Sequence, residues 1–91
     1  MQTGDQWFAT FQHLNRARAE AYEAYVEAQD DRLTELASLS ARWRGLAEFW
    51  RDVRDDPATP FLLREAADLA RIHASERAAR TADHAVRSQA C

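Results

Sequence analysis

The chain has 91 residues and a net charge of −3, and it contains only 2 Gly and 2 Pro beside 30% charged residues. This composition is typical of long helices, and the length allows one small domain with a modest core. The negative charge argues against a general nucleic-acid-binding protein, and no stretch of about 18 apolar residues is present that could cross a membrane.

Targeting signals and cysteine usage predict a compartment. The sequence does not open with a basic patch followed by an apolar stretch, so a signal peptide is not predicted. Cys91 is the single cysteine, which excludes an internal disulfide and fits a reducing environment. We therefore expect a cytoplasmic protein, and a bridge between two chains through Cys91 stays open.

The first predicted element is a long helix over residues 5–55, with Asp5 as its N-terminal cap. Large side chains recur in steps of three and four from Phe8 to Val53, in one heptad register of about six repeats. This pattern is typical of a coiled-coil seam, the stripe along which one helix packs against another. Pro57 ends the helix, because the residue before a proline is disfavoured in the helical region.

The middle of this seam is polar, because Asn15, Arg18, Gln29 and Arg32 occupy seam positions. Two interpretations are open. Polar seam residues can fix the register of a continuous helix, or the chain can bend at Asp30-Asp31 and form two shorter helices. We favour the continuous helix, since neither Gly nor Pro lies there and no capping box follows the two aspartates.

The second predicted helix has Thr59 as N-cap and Pro60 at its first position, and it runs to about Ser88. Its apolar stripe has large side chains at first and small ones later: Leu62, Ala66, Leu69, Ile72, Ala79, Ala82 and Val86. The later half therefore either packs closely through alanine or frays. The predicted fold is all-α, a single domain over residues 1–91 in which a helix over 5–55, a turn over 55–60 and a helix over 60–88 form a helical hairpin.

Such a hairpin leaves large apolar side chains in water, and patches of this kind mark interfaces. Each of these side chains contributes roughly 1.5–3 kcal/mol when fully buried, so we expect a homo-oligomeric helical bundle, with a dimer as the simplest case. Phe49 lies off the main seam and is the better candidate for an exposed anchor. The predicted interaction seam comprises Phe8, Phe11, Tyr22, Tyr25, Leu36, Leu39, Trp43, Leu46, Phe49, Trp50, Val53, Leu62, Leu69 and Ile72.

Motifs for chemistry are weak, and we predict no catalytic residue, metal site or cofactor. His73 and Glu76 stand in the reverse order of the Glu-x-x-His pairs that di-iron bundles use. Arg77 and His84 have a spacing compatible with the Arg/His element of a family of helical RNases, but that spacing arises easily in an Arg-rich helix. No glycine-rich loop is present to hold phosphates. We therefore expect a protein without enzymatic activity.

Two stretches resemble the phasins, helical proteins that coat polyhydroxyalkanoate granules. In "RDDPATPFLLREAADLARIHASE", residues 54–76, a helix ends at Asp-Pro and an amphipathic helix follows at once. The stretch "LNRARAEAYEAYVEAQ", residues 14–29, is similar in composition to their first helix. The resemblance implies a cytoplasmic, oligomeric helical protein that acts as a coat or scaffold at an apolar polymer surface.

The triplet Trp43-Arg44-Gly45 is similar to the Trp-x-Gly motif of type VII secretion substrates, which are helical hairpins with the motif at the bend. The seam continues through Gly45, so a helix is the better interpretation of the triplet than a turn. An alternative function is a small helical module that binds a protein partner, such as a phage-encoded inhibitor, an antitoxin-like protein or a type VII secretion substrate.

Overall fold

The computed structural model describes residues 3–28 and 32–90, and each element in these ranges is a helix. Helix α1 spans Gly4–Glu27, α2 spans Arg32–Asp55 and α3 spans Phe61–Ala90. The predicted all-α class is confirmed. Cys91 lies outside the described residues.

The N-cap of helix α1 lies two residues earlier than predicted. Thr3 is its N-cap, because the Thr3 hydroxyl accepts a hydrogen bond from the Gln6 backbone N–H at 3.2 Å. The Gln6 side chain in turn accepts from the Thr3 N–H at 2.7 Å, which completes a capping box. The prediction of Asp5 as the cap is wrong. Asp5 lies in the first turn, where its negative charge interacts favourably with the positive end of the helix dipole.

The prediction of one continuous helix is also wrong, because α1 ends at Glu27. Ala28 has an extended backbone, with φ −66° and ψ 132°, and only its N–H still bonds to the helix, to the Ala24 carbonyl at 2.9 Å. Helix α2 then begins at Arg32. The seam residue Gln29 and the proposed bend at Asp30-Asp31 lie outside the described residues.

The two halves of the predicted seam pack against each other, which gives a physical reason for the break. Helices α1 and α2 run antiparallel, so seam residues from the two ends of the stretch meet in pairs. An aromatic pair stacks at one end, and at the two polar layers an arginine lies over a ring. The pairs are Phe11 with Trp50 at 5.4 Å, Arg18 with Trp43 at 5.1 Å and Arg32 with Tyr25 at 4.7 Å.

The turn between α2 and α3 lies where Pro57 predicts it, but its caps differ from the prediction. The Thr59 hydroxyl donates to the Val53 carbonyl at 2.7 Å, so it serves the end of α2 and does not cap α3. The Pro60 carbonyl accepts the first hydrogen bond of α3, from the Arg64 N–H at 3.0 Å. Pro60 therefore stands one position before the helix, since the carbonyl that accepts first belongs to the capping residue.

Helix α2 is the central element, and α1 and α3 lie on either side of it. No Cα atom of α1 comes within 8 Å of a Cα atom of α3 in the described helices. Helix α3 contacts α2 through small side chains, since Ala67, Ala74 and Ala78 are buried. Helix α3 therefore packs closely through alanine, but the predicted apolar stripe is wrong, because each of its members is exposed: Leu62, Ala66, Leu69, Ile72, Ala79, Ala82 and Val86. The packing buries the Ser40 hydroxyl, which donates to the Ala78 carbonyl at 2.9 Å.

Candidate functional site

A groove lies between α1 and α3 next to the α2–α3 turn, with α2 as its floor. Its volume is about 540 Å³, within the range of small-molecule sites. We call it the aromatic groove. Its walls and floor are Trp7, Phe8, Phe11, Phe49, Trp50, Val53, Leu63 and Ala66, and its turn end is closed by Gly4, Asp56, Ala58, Thr59 and Pro60.

A cluster of aromatic rings lines the aromatic groove. Phe49 contacts Trp7 edge-to-face at 5.5 Å and Trp50 edge-to-face at 4.9 Å, and Phe11 lies 6.0 Å away. Such pairs add about 0.5–1.5 kcal/mol each beyond area burial. The prediction of Phe49 as an exposed anchor is wrong, because only 5% of Phe49 is exposed. Its position one residue before Trp50 aims it at α1, which covers it.

A second apolar surface lies on the outer side of the first three turns of α3. Phe61, Leu62 and Leu69 are 72%, 78% and 70% exposed, and Ile72 is at the edge of exposure. We call these four residues the outer stripe. They lie on the side of α3 away from the buried alanines, so this helix turns its small side chains inward and its large ones outward.

One ion-pair network ties the turn end of α2 to α3. Arg54 donates to the Asp68 carboxylate at 2.8 Å, and Arg71 donates to the same oxygen at 3.0 Å. These hydrogen bonds, that from Arg54 first, hold the pKa of Asp68 below its ordinary value. Arg54 also bonds Asp55 at 2.9 Å, which lowers the pKa of Asp55, and the two carboxylates raise the pKa of Arg54.

Two arginines, one on α1 and one on α3, lie over one ring of α2. The guanidinium carbon of Arg18, on α1, lies 5.1 Å from the centre of the Trp43 ring, and that of Arg77, on α3, lies 5.3 Å from it. His73 meets the same ring edge-on at 6.1 Å. Among the described residues, neither arginine has a carboxylate oxygen within 4 Å. We call Arg18 and Arg77 the arginine pair.

A separate polar cleft of about 230 Å³ lies farther from the turn, between Tyr25 of α1 and Arg77 of α3. Arg77 and His84 both line it, so the Arg/His spacing does bring these two side chains to one cleft. The cleft also contains Arg80 and Thr81, and the Thr81 hydroxyl donates to the Arg77 carbonyl. No nucleophile positioned by a base lies in it.

His73 and Glu76, which the sequence analysis did not favour as a metal pair, and the Trp-x-Gly triplet all lie on helices. His73 and Glu76 are exposed, and no group of three His, Cys, Asp or Glu side chains able to hold a metal ion occurs within residues 3–28 and 32–90. Trp43-Arg44-Gly45 lies inside α2, where the backbone does not turn.

The predicted interaction seam divides into three groups in the structure. Four members are buried, five are half-buried and five are exposed. The buried ones are Leu36, Leu39, Leu46 and Phe49, the half-buried ones Phe11, Tyr25, Trp43, Trp50 and Val53, and the exposed ones Phe8, Tyr22, Leu62, Leu69 and Ile72. The seam prediction did not include Leu63, Phe61 or Trp7. Helical spacing from Ala66 back to Leu63 is the signal that points to one of them.

Comparison of the chain with protein-family models, with curated proteins and with solved structures gave no match. Within the described ranges, each helix falls short of the length and apolarity that a membrane span needs.

Proposed function

We propose that the protein is a non-enzymatic helical interaction protein that coats an apolar surface in the cytoplasm, as the phasin resemblance implies. The observation that carries the proposal is the outer stripe, because Phe61, Leu62 and Leu69 stand more than two-thirds exposed on a helix that packs inward through alanine. The stripe falls within residues 54–76, the stretch that resembles the phasins.

The energy available to such a contact supports the proposal. Full burial of a large apolar side chain contributes roughly 1.5–3 kcal/mol. Four such side chains on three adjacent helical turns can therefore hold the chain at a polymer surface without a ligand pocket. The buried alanine face keeps α3 on α2 while the outer stripe is engaged.

Self-association is the second part of the proposal, with a dimer as the simplest case. The chain exposes 6429 Å² of surface at a mass of 10.4 kDa. A compact monomer of this mass exposes about 5,400 Å² according to the scaling of surface with mass. The excess of roughly 1,000 Å² is close to the share of about 800 Å² that one partner contributes to a standard interface.

Co-sedimentation with polyhydroxybutyrate particles tests the coat. We expect the wild-type protein to pellet with the particles and the double variant Leu62→Glu/Leu69→Glu to lose at least about nine-tenths of its binding, since the stripe would carry charge. Val86→Glu is the matched control, because Val86 is equally exposed on α3 but lies outside the stripe.

Two results would contradict the coat. The first is a wild-type protein that stays in the supernatant, which would leave the protein-partner module as the function to pursue. The second is a double variant that pellets like the wild type while its circular dichroism is unchanged. Sedimentation velocity of the free protein tests the dimer separately, and a monomer at all concentrations would exclude it.

A further inference from the structure

We propose that the polar cleft is a binding site for a small phosphate monoester, whose phosphate group is held by basic side chains of α3. The cleft is separate from the aromatic groove, since the two share no lining residue. This inference goes beyond the coat and does not depend on it, because the outer stripe contributes no residue to the cleft.

The basic side chains of the polar cleft lie on one face of α3. Four residues of this helix that line the cleft are spaced by three and four positions: Arg77, Arg80, Thr81 and His84. Helical positions with this spacing are neighbours, with Cβ atoms about 5–6 Å apart. Arg80 therefore has Arg77 one turn before it and His84 one turn after it. The sequence of one helix thus gathers two guanidinium groups and an imidazole in one cleft.

Nearby carboxylates neutralise these groups only weakly. Among the described residues, no carboxylate oxygen lies within 4 Å of a side-chain nitrogen of Arg77 or His84. Arg80 has one such neighbour, Glu76 at 3.8 Å, and the two side chains are 73% and 58% exposed. An exposed pair of this kind contributes little in water. Among the described residues that line the cleft, none is Asp or Glu, so the lining favours an anion.

The donors of the cleft suit an anion with two charges and several oxygens. The guanidinium groups of Arg77 and Arg80 each offer paired N–H donors, which match the oxygens of a phosphate. A phosphate monoester carries about two negative charges near neutral pH and has three acceptor oxygens. It can therefore accept from both arginines, whereas a singly charged anion is attracted less strongly to the pair.

The floor of the cleft provides a place for the organic part of the ester. Leu36 and Leu39 of α2 are buried and line the cleft, and Tyr25 lines it from α1. The volume of about 230 Å³ lies below the roughly 300–1,000 Å³ of drug-sized sites. We therefore expect an ester with a small organic group, which contacts the leucines while the phosphate group contacts the arginines.

Isothermal titration with phenyl phosphate at constant ionic strength tests the site. We expect saturable binding of one molecule per chain. Phenyl sulfate, which has the same ring and one negative charge, should bind about tenfold more weakly. The double variant Arg77→Gln/Arg80→Gln should also lose about tenfold in affinity or more, since charged hydrogen bonds are lost. The matched control Arg16→Gln/Arg42→Gln removes the same charge at two exposed positions outside the cleft and should bind within about twofold of the wild type.

Amide NMR resonances locate the bound ester. Phenyl phosphate should shift the resonances of residues 77–84 and of Leu36, which belong to the cleft. The resonances of Trp7 and Leu63, which line the aromatic groove, should stay in place. This readout separates binding in the cleft from insertion of the phenyl ring among the aromatic side chains.

Three results would overturn the proposal. One is the absence of saturable binding, or equal affinity for phenyl phosphate and phenyl sulfate. Another is wild-type affinity in Arg77→Gln/Arg80→Gln. If that variant is unfolded by circular dichroism, Arg80→Gln/His84→Gln decides in its place, because both side chains are exposed. The third is a set of shifted resonances centred on the aromatic groove. Failure of particle binding would leave these titrations unaffected, so the two proposals fail separately.

Discussion

Ser40 on α2 donates a hydrogen bond of 2.9 Å to the main-chain carbonyl of Ala78 on α3, and both residues are buried. This bond fixes the distance between the two helices at a point where no large side chain separates them. We expect Ser40→Ala to lower the free energy of unfolding by about 0.5–1.5 kcal/mol. Urea denaturation measures the change. Ser75→Ala, an exposed serine of α3, is the control, and equal stabilities of both variants would contradict the role of the bond.

Ala74 is 2% exposed and contacts α2, while Ala79 is exposed on the outer side of the same helix. Leucine at position 74 cannot be accommodated without pushing the helices apart. Ala74→Leu should therefore destabilise the protein by about 1–3 kcal/mol, and Ala79→Leu should change stability by less than about 0.5 kcal/mol. Thermal and urea unfolding compare the two. An Ala74→Leu protein as stable as Ala79→Leu would mean that α3 does not pack on α2 through this face.

The carboxylate of Asp68 makes stability depend on pH. Arg54 and Arg71 hold its pKa in the folded state below the ordinary value of 3.8. The unfolded chain therefore binds the proton more readily, so the contribution of Asp68 is present above about pH 4 and is lost as the pH falls through the folded-state pKa. We expect Asp68→Asn to be less stable than the wild type at neutral pH and to lose less on acidification.

Urea midpoints at neutral pH and at about pH 3 measure this difference. Asp83→Asn is the control, because its carboxylate bonds only within α3, to Arg87 at 3.0 Å, among the described residues. The idea fails if Asp68→Asn and the wild type lose stability in parallel as the pH falls.

Gly45 lies in the interior of α2, and a Cβ atom added there would meet no atom within 4 Å. Glycine costs a helix interior about 0.5–1 kcal/mol relative to alanine. Gly45→Ala should therefore stabilise the protein by roughly that amount, measured as a higher urea midpoint. A destabilised Gly45→Ala protein would favour a turn at the Trp-x-Gly triplet, and Gly4→Ala, in the first turn of α1, should gain less.

Helical class and the Pro57 boundary could be predicted from composition and spacing. The inward face of α3 could not, because large side chains outweigh alanines in an apolar pattern and the buried residues are Ala67, Ala74 and Ala78.

The heptad seam predicted that this stretch packs along another helix, although Phe8 and Tyr22, two of its members on α1, are exposed. The partner of the seam could not be predicted. A seam indicates that another helix lies along it, but it does not say whether that helix belongs to a second chain or to the same one, and here Phe11 meets Trp50 within one chain.

The break after Glu27 was hidden because its cause is tertiary. Ala28 has no turn chemistry of its own, and the contacts between the two helices, such as Phe11 with Trp50, form only after the chain folds back. The polar seam residues could likewise be interpreted in two ways. Arg18 and Arg32 look like interruptions of a seam, yet each lies over a ring of the facing helix. The arginine pair was hidden because Arg18 and Arg77 are 59 residues apart.

Because α1 buries far fewer side chains than α2, the helices should differ in local stability. Of the described residues of α1 only Ala21 is buried, whereas α2 has six buried residues and is covered from both sides. Segments with few buried side chains open at the lowest free energy. The amide hydrogens of α1 should accordingly exchange with solvent first, while the α2–α3 pair still protects its own. The fraction of time that α1 is detached from α2 then determines how often water reaches the rings of Phe49 and Trp50.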